Sequence, residues 1–277
     1  MAQIDRLGWA AGAGITAYGV RIGIRVNREE ALELLTEQLP PGWKPISTPR
    51  VEQLFSLRLA EPRKDSIREY NLLYSGIVRR GRSLELPPVL EQLGADLRQT
   101  VATRSRRFVF MHAGVVGWKG RAILIPGHSL AGKSTLVAEL LKAGATYYSD
   151  EFAVLDGRGR VHPFAKRLAL REVGRGTRNV RSEELGGGVG EGALPVGLIA
   201  LAHYKAGAHW RPLRPSLGNS LLALFAHTAP IRSRPEATIA TLQHALARAV
   251  VLKGVRGEAG ETALALLRTA DRLFAGG

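Results

Sequence analysis

The sequence predicts an α/β protein of two domains, and three observations support this prediction. Strand-like and helix-like patterns alternate along most of the chain, a glycine-rich loop lies between a strand pattern and a helix pattern, and the pattern changes to short buried strands after an arginine cluster at 104–107. The 277 residues are 45% hydrophobic, which is enough apolar material for a buried core. We expect a small α+β domain over residues 1–105, followed over residues 106–277 by a larger α/β domain with a mixed sheet and C-terminal helices.

Alternation and chain-breaking residues predict the elements of the N-terminal domain. Apolar residues alternate with Arg21 and Arg25 as in a strand, and Pro40-Pro41-Gly42 ends a helical pattern. Pro87-Pro88 opens a second helix. The predicted order is a strand at 15–26, a helix at 28–39, strands at 51–59 and 69–75, and a helix at 86–101.

The second domain is predicted to contain short buried strands around the glycine-rich loop, and then helices. Gly144 is a suitable left-handed cap for the helix that follows this loop, and 186–192 is a glycine-rich loop of the kind that orders over ligands. Strands are predicted at 108–116, 121–126, 145–149, 152–155, 160–164, 166–171, 196–204 and 251–255, with 166–171 continuing the main sheet and 152–164 forming a hairpin. Helices are predicted at 134–142, 219–227, 235–250 and 261–274.

Residues 127–135, called the phosphate loop below, form the most informative segment. They fit the pattern G-x-x-x-x-G-K-[ST] between an apolar strand and a helix, and that context separates a nucleotide site from a chance match. Backbone N–H groups and the helix N-terminus bind anions, so we expect a nucleoside triphosphate here. Lys133 would contact its β- and γ-phosphates, and the Ser134 hydroxyl would ligate Mg²⁺. The predicted nucleotide-binding residues are Gly127, His128, Ser129, Leu130, Ala131, Gly132, Lys133, Ser134 and Thr135.

Asp150 and Glu151, called the acidic pair below, directly follow a predicted strand. The C-terminal end of such a strand faces the ligand crevice of an open α/β sheet. Asp150 is therefore the candidate that orients or deprotonates an acceptor hydroxyl. Glu151 is a candidate to hold the metal or to hydrogen-bond the loop. The alternative is that the two carboxylates only begin a surface hairpin.

One part of the chain is similar to a known family. The similarity rests on Met111-His112-Ala113-Gly114, the phosphate loop, Tyr147-Tyr148-Ser149-Asp150-Glu151, and the segments 159–163 and 168–171. This region, mainly residues 108–171, resembles the kinase domain of HPr kinase/phosphorylase and, more distantly, the nucleotide site of ATP-dependent phosphoenolpyruvate carboxykinase. The resemblance implies a phosphate-loop kinase domain that uses ATP and Mg²⁺.

The resemblance also implies roles for single residues. It makes Lys133, Asp150 and His112 catalytic, with Asp150 the acid/base at the acceptor hydroxyl and His112 near that carboxylate, where it would orient the carboxylate and tune its proton affinity. A buried core histidine is the competing interpretation of His112. The sequence departs from the family at Leu130, where members often have glycine. It also lacks a recognisable form of the glycine-containing signature that HPr kinases carry further downstream. The loop at 186–192 is a candidate for the place of that signature, with Glu191 as a candidate metal ligand.

Composition limits the partners. The net charge of +15 suggests an anionic partner, but the basic residues are spread along the chain without interleaved aromatic residues, which argues against nucleic acid. Arg171, Arg232 and Arg234 are candidates to bind phosphoryl oxygens. The chain has no cysteine and no apolar run approaching the ~18 residues that span a bilayer, so we expect a cytoplasmic protein without membrane association.

These observations favour an ATP-dependent kinase that phosphorylates a hydroxyl group. The acceptor is a protein or peptide, for example at a serine residue, or a small molecule. A nucleotide-binding regulatory or adaptor protein is the second hypothesis, and a nucleic-acid-associated ATPase is the third. The sequence allows a homo-oligomer. It identifies neither the acceptor nor the preference for ATP over GTP.

Overall fold

The computed structural model describes residues 3–61, 69–128, 131–172, 176–229 and 233–275. It shows an α/β protein with mixed sheets, so the predicted fold class is confirmed. The chain divides into two compact units, residues 1–106 and residues 107–277. Within the described ranges, no helix combines the length and the apolarity needed to cross a membrane.

In the first unit, the described strands form a six-stranded sheet in the order β3-β1-β2-β4-β5-β6, in which β2 and β4 are parallel and the other neighbours antiparallel. The strands are β1 (Ala11–Ala17), β2 (Val20–Val26), β3 (Lys44–Ile46), β4 (Gln53–Arg58), β5 (Asn71–Ser75) and β6 (Val78–Ser83). Two 3-10 helices span Gln3–Arg6 and Glu29–Gln38, and helix α1 spans Pro87–Arg104. Helix α1 contacts β5 and β6 and buries a stripe of residues four apart, namely Val89, Leu93, Leu97 and Val101.

The single strand predicted over 15–26 is wrong, because the chain reverses at Tyr18 and Gly19. Both residues have positive φ, 48° and 80°, and Ala17 pairs with Val20, so a two-residue turn joins β1 to β2. The prediction failed because apolar alternation continues through the turn. Strand β6 was not predicted, since its sequence is mostly arginine and polar residues.

In the second unit, the main sheet has the strand order β10-β11-β14-β8-β7-β9, and β15 also pairs with β14. Its described strands are β7 (Phe108–Trp118), β8 (Arg121–Pro126), β9 (Thr146–Ser149), β10 (Phe152–Asp156), β11 (Arg160–His162), β14 (Leu194–Tyr204) and β15 (Val250–Arg256). A separate two-stranded sheet contains β12 (Leu168–Glu172) and β13 (Gly176–Val180), and a 3-10 helix spans Ser182–Leu185. The α-helices are α2 (Lys133–Lys142), α3 (Leu217–Phe225), α4 (Pro235–Leu246) and α5 (Ala259–Phe274).

The main sheet contains both parallel and antiparallel pairs, and five of its described strands form a closed cycle of pairings. Strand β14 is parallel to β8 and β15, whereas β7 is antiparallel to β8, β9 and β10. Because β10 pairs with both β7 and β11, the pairings β7–β8–β14–β11–β10–β7 form a closed cycle. This cycle brings the end of β8 and the start of β10 to the same place in the fold.

Alternate residues of the strands face two separate hydrophobic cores. On one face, Val116, Ile123 and Leu198 pack with residues of α2 and α5. On the other face, Leu124 and Ile199 pack with residues of α3 and α4. Strands with both faces covered read as continuous apolar runs, which is why β7, β8 and β14 were predictable from the sequence.

The prediction that 166–171 continues the main sheet is wrong. Strand β12 pairs only with β13 among the described strands, in full register from Leu168↔Val180 to Glu172↔Gly176. Strand β13 is largely exposed and has no apolar alternation, so its sequence did not reveal the partner. Helix α4 also ends earlier than the predicted 235–250, and Val250 already belongs to β15.

Candidate functional site

The phosphate loop begins at the end of β8 and leads directly into α2. Gly127 donates its N–H to the carbonyl of His112 at 3.1 Å, and Ala131 donates to the carbonyl of His128 at 3.3 Å. Gly132 precedes α2 with φ of 72°, a left-handed conformation that favours glycine. Ser129 and Leu130 lie outside the described residues.

Arg256 holds the C-terminal part of the loop. Its guanidinium group is buried and donates to the carbonyls of Gly132 at 3.1 Å and Ala131 at 3.4 Å, and also to that of Gly257 at 3.0 Å. Burial lowers the pKa of Arg256 from its ordinary value, yet an arginine remains protonated in proteins. Sequence analysis missed this residue, because nothing local indicates that the end of β15 contacts the loop.

Lys133 is half-buried at the first position of α2. Its ammonium group donates to the carbonyl of His128 at 2.6 Å, so the side chain folds back along the loop. Burial lowers the pKa of Lys133, and the charges of Asp150 and Glu151 partly oppose that shift. The side chain therefore lies in the electric field of the acidic pair, as a phosphate-binding lysine of this site would. Thr135, two residues further along α2, is exposed.

Asp150 is 5% exposed and links the loop to the sheet. Its Oδ2 accepts a hydrogen bond from the Ser134 hydroxyl at 2.9 Å, and its Oδ1 accepts one from the Tyr147 hydroxyl at 3.0 Å. Lys166 Nζ lies 3.1 Å from Oδ1, and the N–H of Ala169 lies 3.4 Å from Oδ2. Burial and the charge of Asp150 raise the pKa of Tyr147 well above its ordinary value, which keeps Tyr147 a neutral donor.

Glu151 is the second carboxylate of the acidic pair. Its Oε2 lies 3.6 Å from Lys166 Nζ, and its backbone carbonyl accepts the N–H of Ala113 at 3.1 Å. Oxygen ligands of this kind suit Mg²⁺, so Ser134, Asp150 and Glu151 fit that ion chemically. The described residues contain no cluster of three or more His, Asp or Glu side chains with metal-site geometry. Magnesium would therefore depend on the Ser134 hydroxyl and on phosphate oxygens as well.

Three histidines lie at the loop: His128 belongs to it, and His112 and His227 contact it. The ring of His112 lies 4.5 Å from that of Phe152, its opposite residue on β10. The backbone N–H of His112 donates to the backbone carbonyl of His227 at 2.7 Å. The rings of His128 and His227 meet edge to face at 4.5 Å. Burial, followed by the charges of Lys133 and His128, lowers the pKa of His112, while Glu151 raises it. Among the described side chains, the partners of Asp150 do not include His112.

Sequence analysis missed His227, which follows α3 and carries no recognisable motif. Burial, His128, Lys133 and His112 lower its pKa to about 4, so the imidazole is neutral at pH 7. Its Nδ1 is buried and has no hydrogen-bond partner among the residues that the structure describes. The neutral imidazole of His227 thus lies against the ring of His128 in the loop.

The other candidate ligands lie apart from these contacts. Glu191 and Arg171 are exposed, Arg234 donates to the carbonyl of Phe108 at 3.1 Å, and Arg232 falls in a range that is not described. The glycine-rich loop at 186–192 is hydrogen-bonded to β9: Tyr147 donates its N–H to Gly188, and Gly190 donates to Tyr147, each at 2.8 Å. This loop therefore braces the strand that presents Asp150.

A scan against protein-family models gives no match to this chain, and a search of the curated proteins also finds no match.

Proposed function

We propose that the second unit is an ATP-dependent kinase that transfers the γ-phosphate to a hydroxyl group on a protein, a peptide or a small molecule. The observation that carries this proposal is the 2.9 Å hydrogen bond between Ser134 and Asp150. It places a buried carboxylate directly beside the residue of the phosphate loop that would ligate the metal. Phosphoryl transfer needs these groups together, because its catalysis consists largely of positioning and charge stabilisation.

Each residue has a role in this proposal. The N–H groups of the phosphate loop and the N-terminus of α2 bind the phosphates, and Lys133 contacts the β- and γ-phosphates. Ser134, Asp150 and Glu151 would hold Mg²⁺, which would neutralise charge on the phosphate oxygens. Asp150 accepts the proton of the acceptor hydroxyl. The oxygen of that hydroxyl then forms a bond to the γ-phosphorus as the bond between the γ-phosphorus and ADP breaks. We place the protein in the cytoplasm, where ATP and Mg²⁺ are present.

A nucleotide-binding regulatory or adaptor protein is the second candidate. The observation that favours it is the complete set of partners around Asp150, because a carboxylate held by Ser134, Tyr147 and Lys166 can serve a purely structural role. This candidate predicts nucleotide-dependent binding of a partner that survives Asp150→Asn and is lost in Lys133→Ala.

A nucleic-acid-associated ATPase rests on the net charge of +15 alone. Hydrolysis stimulated by DNA or RNA, with steep salt dependence, would support it.

Lys133→Ala is expected to weaken ATP binding by about 10- to 100-fold, because a charge-assisted bond to phosphate contributes about 1.5–3 kcal/mol. Isothermal titration with ATP and Mg²⁺ measures this change. Lys142→Ala is the matched control, since Lys142 pairs with Glu139 at the other end of α2 and should leave the affinity unchanged. Equal ATP affinity of wild type and Lys133→Ala would contradict the proposed site.

Gly132→Ala is expected to reduce ATP affinity by about 5- to 30-fold, because the left-handed conformation costs a residue with a Cβ about 1–2 kcal/mol. The new Cβ would also lie 2.5 Å from Nη2 of Arg256 and disturb the bonds that hold the loop carbonyls. Gly120→Ala is the control, since its φ of 75° is similar and its Cβ would meet no described atom within 4 Å. If both variants bind ATP equally well, Arg256 does not fix the loop.

A further inference from the structure

Lys166 bridges the acidic pair from the segment between β11 and β12. Its Nζ lies 3.1 Å from Asp150 Oδ1 and 3.6 Å from Glu151 Oε2, and it donates to the carbonyl of Arg167 at 3.3 Å. The side chains of Lys166 and Glu151 are 23% and 24% exposed, and that of Asp150 is 3% exposed. One ammonium group is thus shared between two carboxylates at the edge of the phosphate loop.

The proposed metal ligands are the same two carboxylates, together with the Ser134 hydroxyl that Asp150 holds. A lysine ammonium is a compact point charge with three donors, and it can neutralise carboxylates where a divalent cation otherwise would. Close like charges that are partly buried repel each other strongly unless a cation lies between them. Lys166 supplies that cation from within the chain.

We propose that Lys166 is an internal cation that competes with the divalent metal for the acidic pair, and so sets the metal concentration that the site requires. This inference rests on the proposed function. Entry of the metal requires the ammonium group to leave at least one of the two carboxylates. The Lys166 side chain has room to do so, because it lies partly at the surface. Lys166 is therefore a positioning residue that acts through Asp150 and Glu151.

The test measures Mn²⁺ binding without nucleotide, from the electron paramagnetic resonance signal of free Mn²⁺, in the full-length protein. Lys166→Met removes the competing charge and is expected to bind Mn²⁺ about tenfold more tightly than wild type. Lys166→Gln keeps a hydrogen-bond donor without the charge and provides the same comparison if the methionine variant does not fold. Lys166→Arg keeps the charge and should bind Mn²⁺ like wild type. Lys142→Met breaks the ion pair between Lys142 and Glu139 on α2, and this variant should also bind Mn²⁺ like wild type.

Tighter Mn²⁺ binding in the folded uncharged variants, with wild-type binding in Lys166→Arg and Lys142→Met, supports the competition. Unchanged or weaker binding in the folded uncharged variants overturns it, as does the same tightening in Lys142→Met. The result is separate from the proposed function, because Mn²⁺ is measured without ATP. Loss of the kinase proposal would instead appear as unaltered ATP affinity in Lys133→Ala, whatever the Mn²⁺ result.

Discussion

Asp150→Asn is expected to lower the rate of phosphoryl transfer by about 10³-fold, which is within the range that a positioned general base contributes. The amide has the same shape as the carboxylate but cannot take the proton of an acceptor hydroxyl. It can still accept the hydrogen bond from Ser134, so ATP affinity should change far less than the rate. Transfer of labelled γ-phosphate to candidate acceptors, with ATP affinity measured in parallel, distinguishes the two effects.

Asp156→Asn is the matched control. Asp156 ends β10 in the same sheet, but it pairs with Arg160 and His162, each at 3.0 Å. This variant should transfer phosphate like wild type. If Asp150→Asn also transfers phosphate normally, Asp150 is not the base. If instead rate and ATP affinity fall together, Asp150 acts mainly by holding the phosphate loop through Ser134.

Gly159→Ala is expected to lower the free energy of unfolding by about 2–4 kcal/mol, which is a large effect for one methyl group. Gly159 has φ of 72°, a conformation that penalises any Cβ. The added Cβ would lie 2.7 Å from the carbonyl carbon of His244 and 2.8 Å from Cα of Ala245. These are backbone atoms of α4, so relief of the collision requires a shift of the helix itself. Urea unfolding measures the change.

Gly157→Ala is the control in the same turn. No described atom lies within 4 Å of its added Cβ, and its φ is outside the left-handed region. Its free energy of unfolding should stay within about 0.5 kcal/mol of wild type. Equal stability of the two alanine variants would show that contact between the β10–β11 turn and α4 contributes little to the fold.

Local patterns predicted much of the second unit because its central strands are covered on both faces. Strands β7, β8 and β14 read as apolar runs, and the strand, loop and helix around Lys133 follow one another without interruption. Predictions failed where apolar alternation was misleading or absent, as in the turn between β1 and β2 and in the exposed strand β13. Strand β12 was assigned to the wrong sheet, and the turn at Tyr18 lay inside an unbroken apolar alternation.

The residues around the loop divide into those that the sequence indicated and those that only the structure revealed. Lys133, Ser134 and Asp150 were candidates, because a spacing motif or the end of a strand indicates each of them. Arg256 and His227 were not, since they reach the loop from β15 and from the end of α3. A contact between residues about a hundred or more positions apart has no local signature.

By itself, the sequence determined the α/β class and the position of a phosphate-binding motif between a strand and a helix. Such features depend on residues that are close in sequence, on hydrophobic periodicity and on local backbone conformation, so the sequence alone indicates them. Only the tertiary structure decided that Lys166 bridges the acidic pair and that Arg256 holds the loop carbonyls. The Arg256 contact arises because β14 pairs with both β8 and β15, which brings the end of β15 to the loop, and the position of Lys166 after β11 sets the charge balance beside the acidic pair.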